Sequence, residues 1–147
     1  MKNHVTFKVI ILCLSLTTMI SGFTSCAKEV SAQTLSGYLI DSHCFVKKPD
    51  SSLDSKTCLM MPTCAATGYG IAVPQSDKSY KFYYFDGEYA PKATDTQVLA
   101  ANIASSTTKK DHLYVTVSGT LTGKEKKDAY GTSYPVMKVT SISESAE

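Results

Sequence analysis

The side chains of this sequence that could do chemistry are concentrated in one stretch, residues 37–70. Thiolate, imidazole and carboxylate groups are the usual protein ligands of transition metals, and thiols also form or exchange disulfides. Outside the stretch, the sequence indicates a leader peptide and a β-rich scaffold. The candidate functional residues are therefore Asp41, His43, Cys44, Cys58, Met60, Met61 and Cys64.

The cysteines of this stretch are odd in number once Cys13 and Cys26 are assigned to the leader and its end. Outside the cytoplasm, three thiols indicate either one disulfide plus a third thiol or a metal held by several thiolates. A regular helix over residues 58–64 would separate Cys58 and Cys64 by ~9 Å along its axis, beyond the ~7 Å that a disulfide allows. Cys44 would then pair with Cys58 or Cys64, but a helix break at Pro62 would also permit a Cys58–Cys64 pair.

Two metal sites are compatible with these residue types. Three thiolates with the imidazole of His43 would suit zinc, whereas thiolates with the thioether of Met60 or Met61 would suit Cu(I). The spacing is not that of a zinc ribbon, and the preferred interpretation is a disulfide that braces the fold. Redox-active thiols are the third alternative. The three cysteines are expected to converge under all of these interpretations, because the connection must return to the same end of the sheet.

The other candidates in the stretch also have structural explanations. His43 is typical of a surface or capping residue, and Met60 and Met61 are typical of core filling. Asp41, just past the first strand, is typical of a turn or cap. No second carboxylate or Ser–His arrangement stands near enough in the sequence to nominate an enzyme.

Residues 1–25 have the pattern of a bacterial lipoprotein signal. A lysine-containing start precedes an apolar run at 9–20, which is too short to span a bilayer. Small residues stand directly before Cys26, as in a lipobox, and this predicts a lipid on Cys26 after cleavage. The alternatives are cleavage after Ala32 and a buried helix that is never cleaved.

The leader also predicts the domain organisation and the location. Residues 26–34 are expected to be a tether and residues 35–147 a single domain. Cleavage at either site predicts an extracytoplasmic protein, anchored to the membrane by lipid or otherwise secreted. Disulfides persist in that environment.

The charge pattern argues against a nucleic-acid partner. All 15 basic residues are lysine, so the chain lacks the guanidinium fork that captures phosphates and base edges. Removal of the leader leaves 13 lysines and 13 carboxylates, with no net basic character for a polyanion to recognise.

Hydrophobic periodicity predicts a mainly β fold of five strands and one longer helix. The Cys-rich connection between the first two strands is expected to be partly helical, starting near Met61 and stopping before Gly68. One helix between strands three and four matches a small OB-like barrel, and an open five-stranded sheet is the alternative. The predicted elements are strands at 35–40, 69–74, 80–85, 112–121 and 134–143, with a helix at 95–105.

Three segments carry a resemblance to known proteins. These are Gly-Tyr-Leu-Ile-Asp-Ser-His-Cys-Phe from Gly37, Cys-Leu-Met-Met-Pro-Thr-Cys-Ala-Ala-Thr-Gly-Tyr-Gly from Cys58, and Tyr-Lys-Phe-Tyr-Tyr-Phe-Asp from Tyr80. The chain resembles a group of small secreted or lipid-anchored bacterial proteins, many from clostridia-like anaerobes. The resemblance implies a shared small β fold with a three-cysteine stretch, and it implies no activity.

Overall fold

The computed structural model of this protein describes residues 31–47, 55–87 and 95–147. The leader, Cys26 and most of the expected tether lie outside the described residues, so lipidation and cleavage stay predictions. No helix in the described part combines the length and apolar character needed to cross a bilayer. In chain order the elements are β1 Ala32–Asp41, α1 Ser42–Lys47, α2 Lys56–Leu59, α3 Pro62–Ala65, β2 Tyr69–Pro74, β3 Tyr80–Phe85, α4 Asp95–Ser106, β4 Tyr114–Lys127 and β5 Ser133–Glu144.

The five strands form a closed barrel in the order β1-β2-β3-β5-β4, and β4 pairs back to β1. All pairs are antiparallel except β3–β5, which is parallel. The predicted OB-like barrel is confirmed, with α4 between β3 and β4 and the Cys-bearing helices between β1 and β2. Because the sheet closes on itself, the open sheet is excluded.

The first strand serves two neighbours. Its first part pairs with β4 and its last part pairs with β2, and Tyr38 belongs to both ladders. Gly37 precedes this changeover, where a Cβ atom would collide with the carbonyl oxygen of Ala72. A glycine at this position lets the two strands approach each other closely.

The first strand begins at Ala32 rather than at Leu35, so the end of the expected tether belongs to the barrel. The polar residues there continue the ladder, and their hydroxyls meet partners on β4: Thr34 with Ser118 at 3.2 Å and Ser36 with Thr116 at 3.0 Å. Hydrophobic periodicity misses this part of the strand because its burial alternates only between exposed and half-buried.

Side chains alternate across the strands and supply two buried clusters. Leu39 and Phe85 belong to one cluster, which Ala100 and Ala104 of α4 also join. Their chain neighbours, Tyr38 and Ile40 beside Leu39 and Tyr84 beside Phe85, belong to the second cluster, which is largely aromatic. Because β1 and β3 are buried on both faces, they provide a rigid base for the helices that follow β1.

Candidate metal centre

The three cysteines and one carboxylate converge at the end of β1. One ligand atom each from Asp41, Cys44, Cys58 and Cys64 lies within 4.8 Å of every other. The connection that carries them starts and ends at the same place, because Asp41 and Tyr69 are register partners across β1 and β2. The predicted convergence of the cysteines is confirmed, and the four residues together can hold a metal ion.

Three short helices deliver the cysteines, one from each. Cys44 lies on α1, Cys58 on α2 and Cys64 on α3. The break between α2 and α3 falls at Met61, which has an extended backbone, and Pro62 takes the first helical position. Proline is favoured at the first helical position, because an N–H there would have no hydrogen-bond partner within the helix. The break turns the chain so that the sulfur of Cys64 lies 3.6 Å from that of Cys58.

Helix α1 is held in place by a cap at its first turn and by an aromatic contact with the barrel. Asp41 caps it, since the backbone N–H of Cys44 donates to Oδ1 of Asp41 at 3.0 Å. Phe45 stacks on Phe82 of β3 with ring centroids 4.7 Å apart. The cap fixes the backbone of Cys44 and the stack fixes its neighbour Phe45, so the barrel determines the position of the thiol.

The second helix is held between the barrel and α4. Ser55 caps it by accepting from the N–H of Cys58 at 3.2 Å. The hydroxyl of Tyr69 donates to the carbonyl of Leu59 at 2.7 Å. Lys56 donates to the carbonyls of Ser105 and Thr107 at the end of α4, at 2.9 and 2.6 Å. These contacts preorganise the thiol of Cys58.

Helix α4 is in turn locked onto the strands by a buried amide. Gln97 accepts a hydrogen bond from the N–H of Tyr69 at 2.9 Å and donates to the carbonyl of Phe85 at 3.0 Å. Its side chain is fully buried, and a buried amide is tolerated because its polar atoms are satisfied. Gln97 and Lys56 were not identified from sequence patterns as supports of the site, because the residues that each of them contacts lie far away in the chain.

The sulfur spacing is longer than that of a disulfide and close to that of a zinc site. Cys58 is central, 3.4 Å from the sulfur of Cys44 and 3.6 Å from that of Cys64. A disulfide needs about 2.05 Å. Two 2.3 Å zinc–sulfur bonds at the tetrahedral angle place their sulfur atoms about 3.8 Å apart, only a few tenths of an ångström more than the observed distances. The bracing disulfide preferred on sequence grounds would need a sulfur pair at bonding distance, and neither of these two pairs is that close.

Asp41 contributes more than the turn or cap that its position in the sequence indicates. Its carboxylate is fully buried, and Oδ1 also accepts from the hydroxyl of Thr67 at 3.3 Å. The single hydroxyl hydrogen of Thr67 is shared with the carbonyl of Cys64, which lies closer, at 2.8 Å. Hydrogen bonds of this kind orient metal ligands. Asp41 is both the cap of α1 and the fourth member of the group.

The remaining sequence candidates lie at the surface. His43 is exposed on α1 and does not belong to the converging group. Met60 and Met61 are 44% and 46% exposed, so they are not the core filler that their type indicated. The proline break between α2 and α3 leaves both methionine side chains on the outside of the connection.

Burial within the group is uneven. Asp41 and Cys64 are buried, whereas Cys44 and Cys58 are half-buried. An ion bound here would be reached from solvent on the side of Cys44 and Cys58.

Comparison of the sequence with protein-family models finds no match, and comparison with curated proteins finds no significant match.

Proposed function

We propose that this protein is a zinc-binding module of the cell envelope, with Cys44, Cys58, Cys64 and Asp41 as the zinc ligands. The observation that supports the proposal is the convergence of the four ligand atoms within 4.8 Å of one another. Three thiolates and a carboxylate complete the four-coordinate set that zinc adopts in structural sites.

Zinc is favoured over Cu(I) by the donor types. Cu(I) selects soft sulfur ligands, and the fourth member of this group is a carboxylate, a hard oxygen donor that zinc accepts. The two methionines that would have completed a sulfur-only set are exposed. Zinc also does not change its oxidation state, so its role in this site would be structural rather than redox.

The proposed role of zinc is to replace disulfides as the brace of the β1–β2 connection. Deprotonated thiolates and a carboxylate repel one another at these distances unless a cation lies among them. Bound zinc would join the ends of α1, α2 and α3 to the end of β1. The half-buried side of the site would allow the ion to exchange with solvent.

The experiment is metal analysis of the purified protein after addition of zinc and removal of excess. We expect one zinc per chain, and X-ray absorption is expected to show three sulfur neighbours near 2.3 Å and one oxygen. Cys64→Ser should lower the zinc content well below one per chain. Asp41→Asn keeps an N-cap residue but weakens the ligand, so it separates the metal role from capping.

His43→Ala is the matched control, since it alters a metal-binding residue type on the same helix outside the group. It should retain zinc as the unaltered protein does. A zinc content of zero in the unaltered protein, or equal losses in His43→Ala and Cys64→Ser, would reject the zinc site.

Thiol–disulfide exchange is the second candidate, favoured by the central position of Cys58. Its thiolate would attack a small-molecule disulfide, forming a mixed disulfide and releasing one thiolate. Cys44 thiolate would then attack the sulfur of Cys58, release the second thiolate and leave a Cys44–Cys58 disulfide, so two electrons pass to the substrate. Stoichiometric reduction of oxidised glutathione by the zinc-free protein, abolished in Cys58→Ser, would support this candidate.

The proposed location is the outer face of the membrane, through a lipid on Cys26. The support is the lipobox-like sequence before Cys26. Mass spectrometry of the membrane fraction should find a diacylglyceryl-modified N-terminal cysteine, and Cys26→Ser should release the protein from the membrane. An unmodified N-terminus at Gln33 would contradict lipidation.

A further inference from the structure

A cleft of about 280 Å³ lies beside the metal centre, between α1 and the end of β4. Its wall on one side includes Ser42 and Thr67, and on the other Lys126, Lys127 and Asp128. Ligand pockets for small molecules begin at roughly 300 Å³, so this cleft suits a ligand no larger than a monosaccharide. The proposed zinc function does not require it.

Lys126 on β4 supplies a positive charge to the cleft, and an aromatic ring holds its ammonium in place. The ammonium of Lys126 lies 5.0 Å from the ring centre of Tyr84, and the half-buried side chain forms no ion pair with any described residue. Burial raises the pKa of Tyr84, so its ring stays neutral and provides an electron-rich face for the ammonium. A cation held in this way is ready to receive an anionic group.

The charge balance of the cleft favours a single negative charge on the ligand. Lys126, Lys127 and Asp128 sum to one positive charge. The side chain of Asp128 is fixed by the N–H groups of Tyr130 and Thr132, at 2.8 and 3.0 Å, and would repel a second negative charge. The lining contains lysine but no arginine, and therefore no bidentate fork for a phosphate.

The opposite wall offers hydrogen-bond acceptors. Ser42 donates its hydroxyl hydrogen to the carbonyl of Thr67 at 3.1 Å, and Thr67 donates to the carbonyl of Cys64 at 2.8 Å. Each hydroxyl has one hydrogen, so both oxygens can only accept from a ligand. A matching ligand carries hydroxyl groups that donate. The exposed ring of Tyr130 adds an apolar edge against which a sugar ring can pack.

We propose that this cleft binds a small hydroxylated monocarboxylate of sugar-acid size. Its carboxylate meets Lys126, and its hydroxyl groups donate to Ser42 and Thr67. None of the zinc ligands lines the cleft, and Thr67, which does, also donates to Asp41. The protein would thereby recognise an acidic sugar or a similar hydroxy acid at its surface.

The test is an amide NMR titration of the ¹⁵N-labelled, purified protein with D-glucuronate, D-glucose and inorganic phosphate as probes. Glucuronate should shift the amides of residues 42–46, 66–68 and 126–130, with a Kd on the order of 1 mM. D-Glucose and phosphate should bind at least tenfold more weakly. In 0.5 M NaCl the affinity for glucuronate should fall severalfold, because the contact depends on charge.

Lys126→Met should weaken glucuronate binding about tenfold or more, since it removes the charge-assisted contact. The matched control is Lys81→Met, because Lys81 lies over the ring of Tyr83 at 5.1 Å on β3 and is not part of the cleft lining. This control should bind glucuronate like the unaltered protein.

The proposal would be overturned by the absence of shifts with glucuronate, by equal affinity for D-glucose or phosphate, or by equal losses in the two lysine variants. An affinity that does not change with NaCl would also overturn it, and that measurement needs no variant. Zinc content measured in the same samples reports separately on the metal centre, so failure of one proposal is distinguishable from failure of the other.

Discussion

The candidate metal centre and the proposed ligand cleft, hereafter the metal centre and the cleft, lie side by side and differ in how they arrange charge. The metal centre brings four potentially anionic groups within 4.8 Å of one another. The cleft spaces two lysines and one aspartate around its wall and sets one ammonium over an aromatic ring. Like charges at short range need a counter-ion, whereas the cleft's charges are tolerated without one. The metal centre should therefore depend on its ligand for stability, and the cleft should not.

The two sites also differ in what positions them. The cysteines are on helices of six, four and four residues, which are too short to be stable by themselves. Lys126 and Tyr84 are on strands of the closed barrel. We therefore expect changes at the metal centre to reach the cleft through Ser42 and Thr67, with little effect in the opposite direction.

The largest expected effect is the loss of stability on zinc removal. At free zinc a thousandfold above Kd, binding stabilises the folded state by about 4 kcal/mol, which for a domain of this size raises Tm on the order of 10 °C. Thermal unfolding with zinc and with a chelator measures this difference. Cys64→Ser should abolish the zinc-dependent shift. Glucuronate should leave Tm nearly unchanged, and a ligand effect as large as that of zinc would contradict the contrast between the sites.

Loss of the carboxylate should have the next largest effect. Asp41→Asn retains an acceptor for the N–H of Cys44 but removes the anionic ligand, so zinc affinity should fall roughly 10- to 100-fold. Competition with a chromogenic chelator measures the affinity. Lys126→Met, the corresponding change in the cleft, should leave zinc affinity within twofold of the original. Equal losses in both variants would show that the two sites are not separate.

A smaller effect is expected at the residue that contacts both sites. Thr67→Val removes the one hydroxyl hydrogen that Thr67 shares between Oδ1 of Asp41 and the carbonyl of Cys64, with a net contribution of about 1 kcal/mol. Zinc and glucuronate affinities should each fall about fivefold. Thr116→Val, on the β1–β4 wall where Thr116 meets Ser36, is the matched control and should change neither affinity.

The smallest expected effect is a pH dependence at the cleft. Desolvation raises the pKa of Asp128, but the hydrogen bonds from Tyr130 and Thr132 outweigh it and hold the pKa below its ordinary value. A depressed pKa in the folded state means that this carboxylate stabilises the fold above its unfolded-state pKa and loses that contribution as pH falls through the folded value. Asp128→Asn should remove a small part of the acid sensitivity in Tm measured between pH 7 and pH 3. An identical pH profile in the variant would contradict this role.

Local sequence patterns predicted the strands and the long helix, and the order of these elements favoured a barrel over an open sheet. Runs of β-forming residues predicted β2 and β3 with the observed boundaries, and helical spacing predicted α4 to within one residue at its end. These elements are determined locally, because their side chains must bury one face or both. Strand β1 was predicted three residues too short at its start, since its first part is held by backbone pairing and hydroxyl contacts with β4 rather than by burial.

The sequence by itself determined which residues could form a site, because all three cysteines fall in one connection whose ends must meet. It did not determine their pairing or their fourth partner. Those depended on the break at Pro62, the stacking of Phe45 on Phe82 and the contacts of Lys56 and Gln97, each of which joins residues that the chain separates. Asp41 joined the cysteines because it ends the buried part of β1 and caps α1, whereas His43 remained outside because it lies on the side of α1 that faces the surface. That direction is a property of the packed helix, which spacing along the chain does not contain.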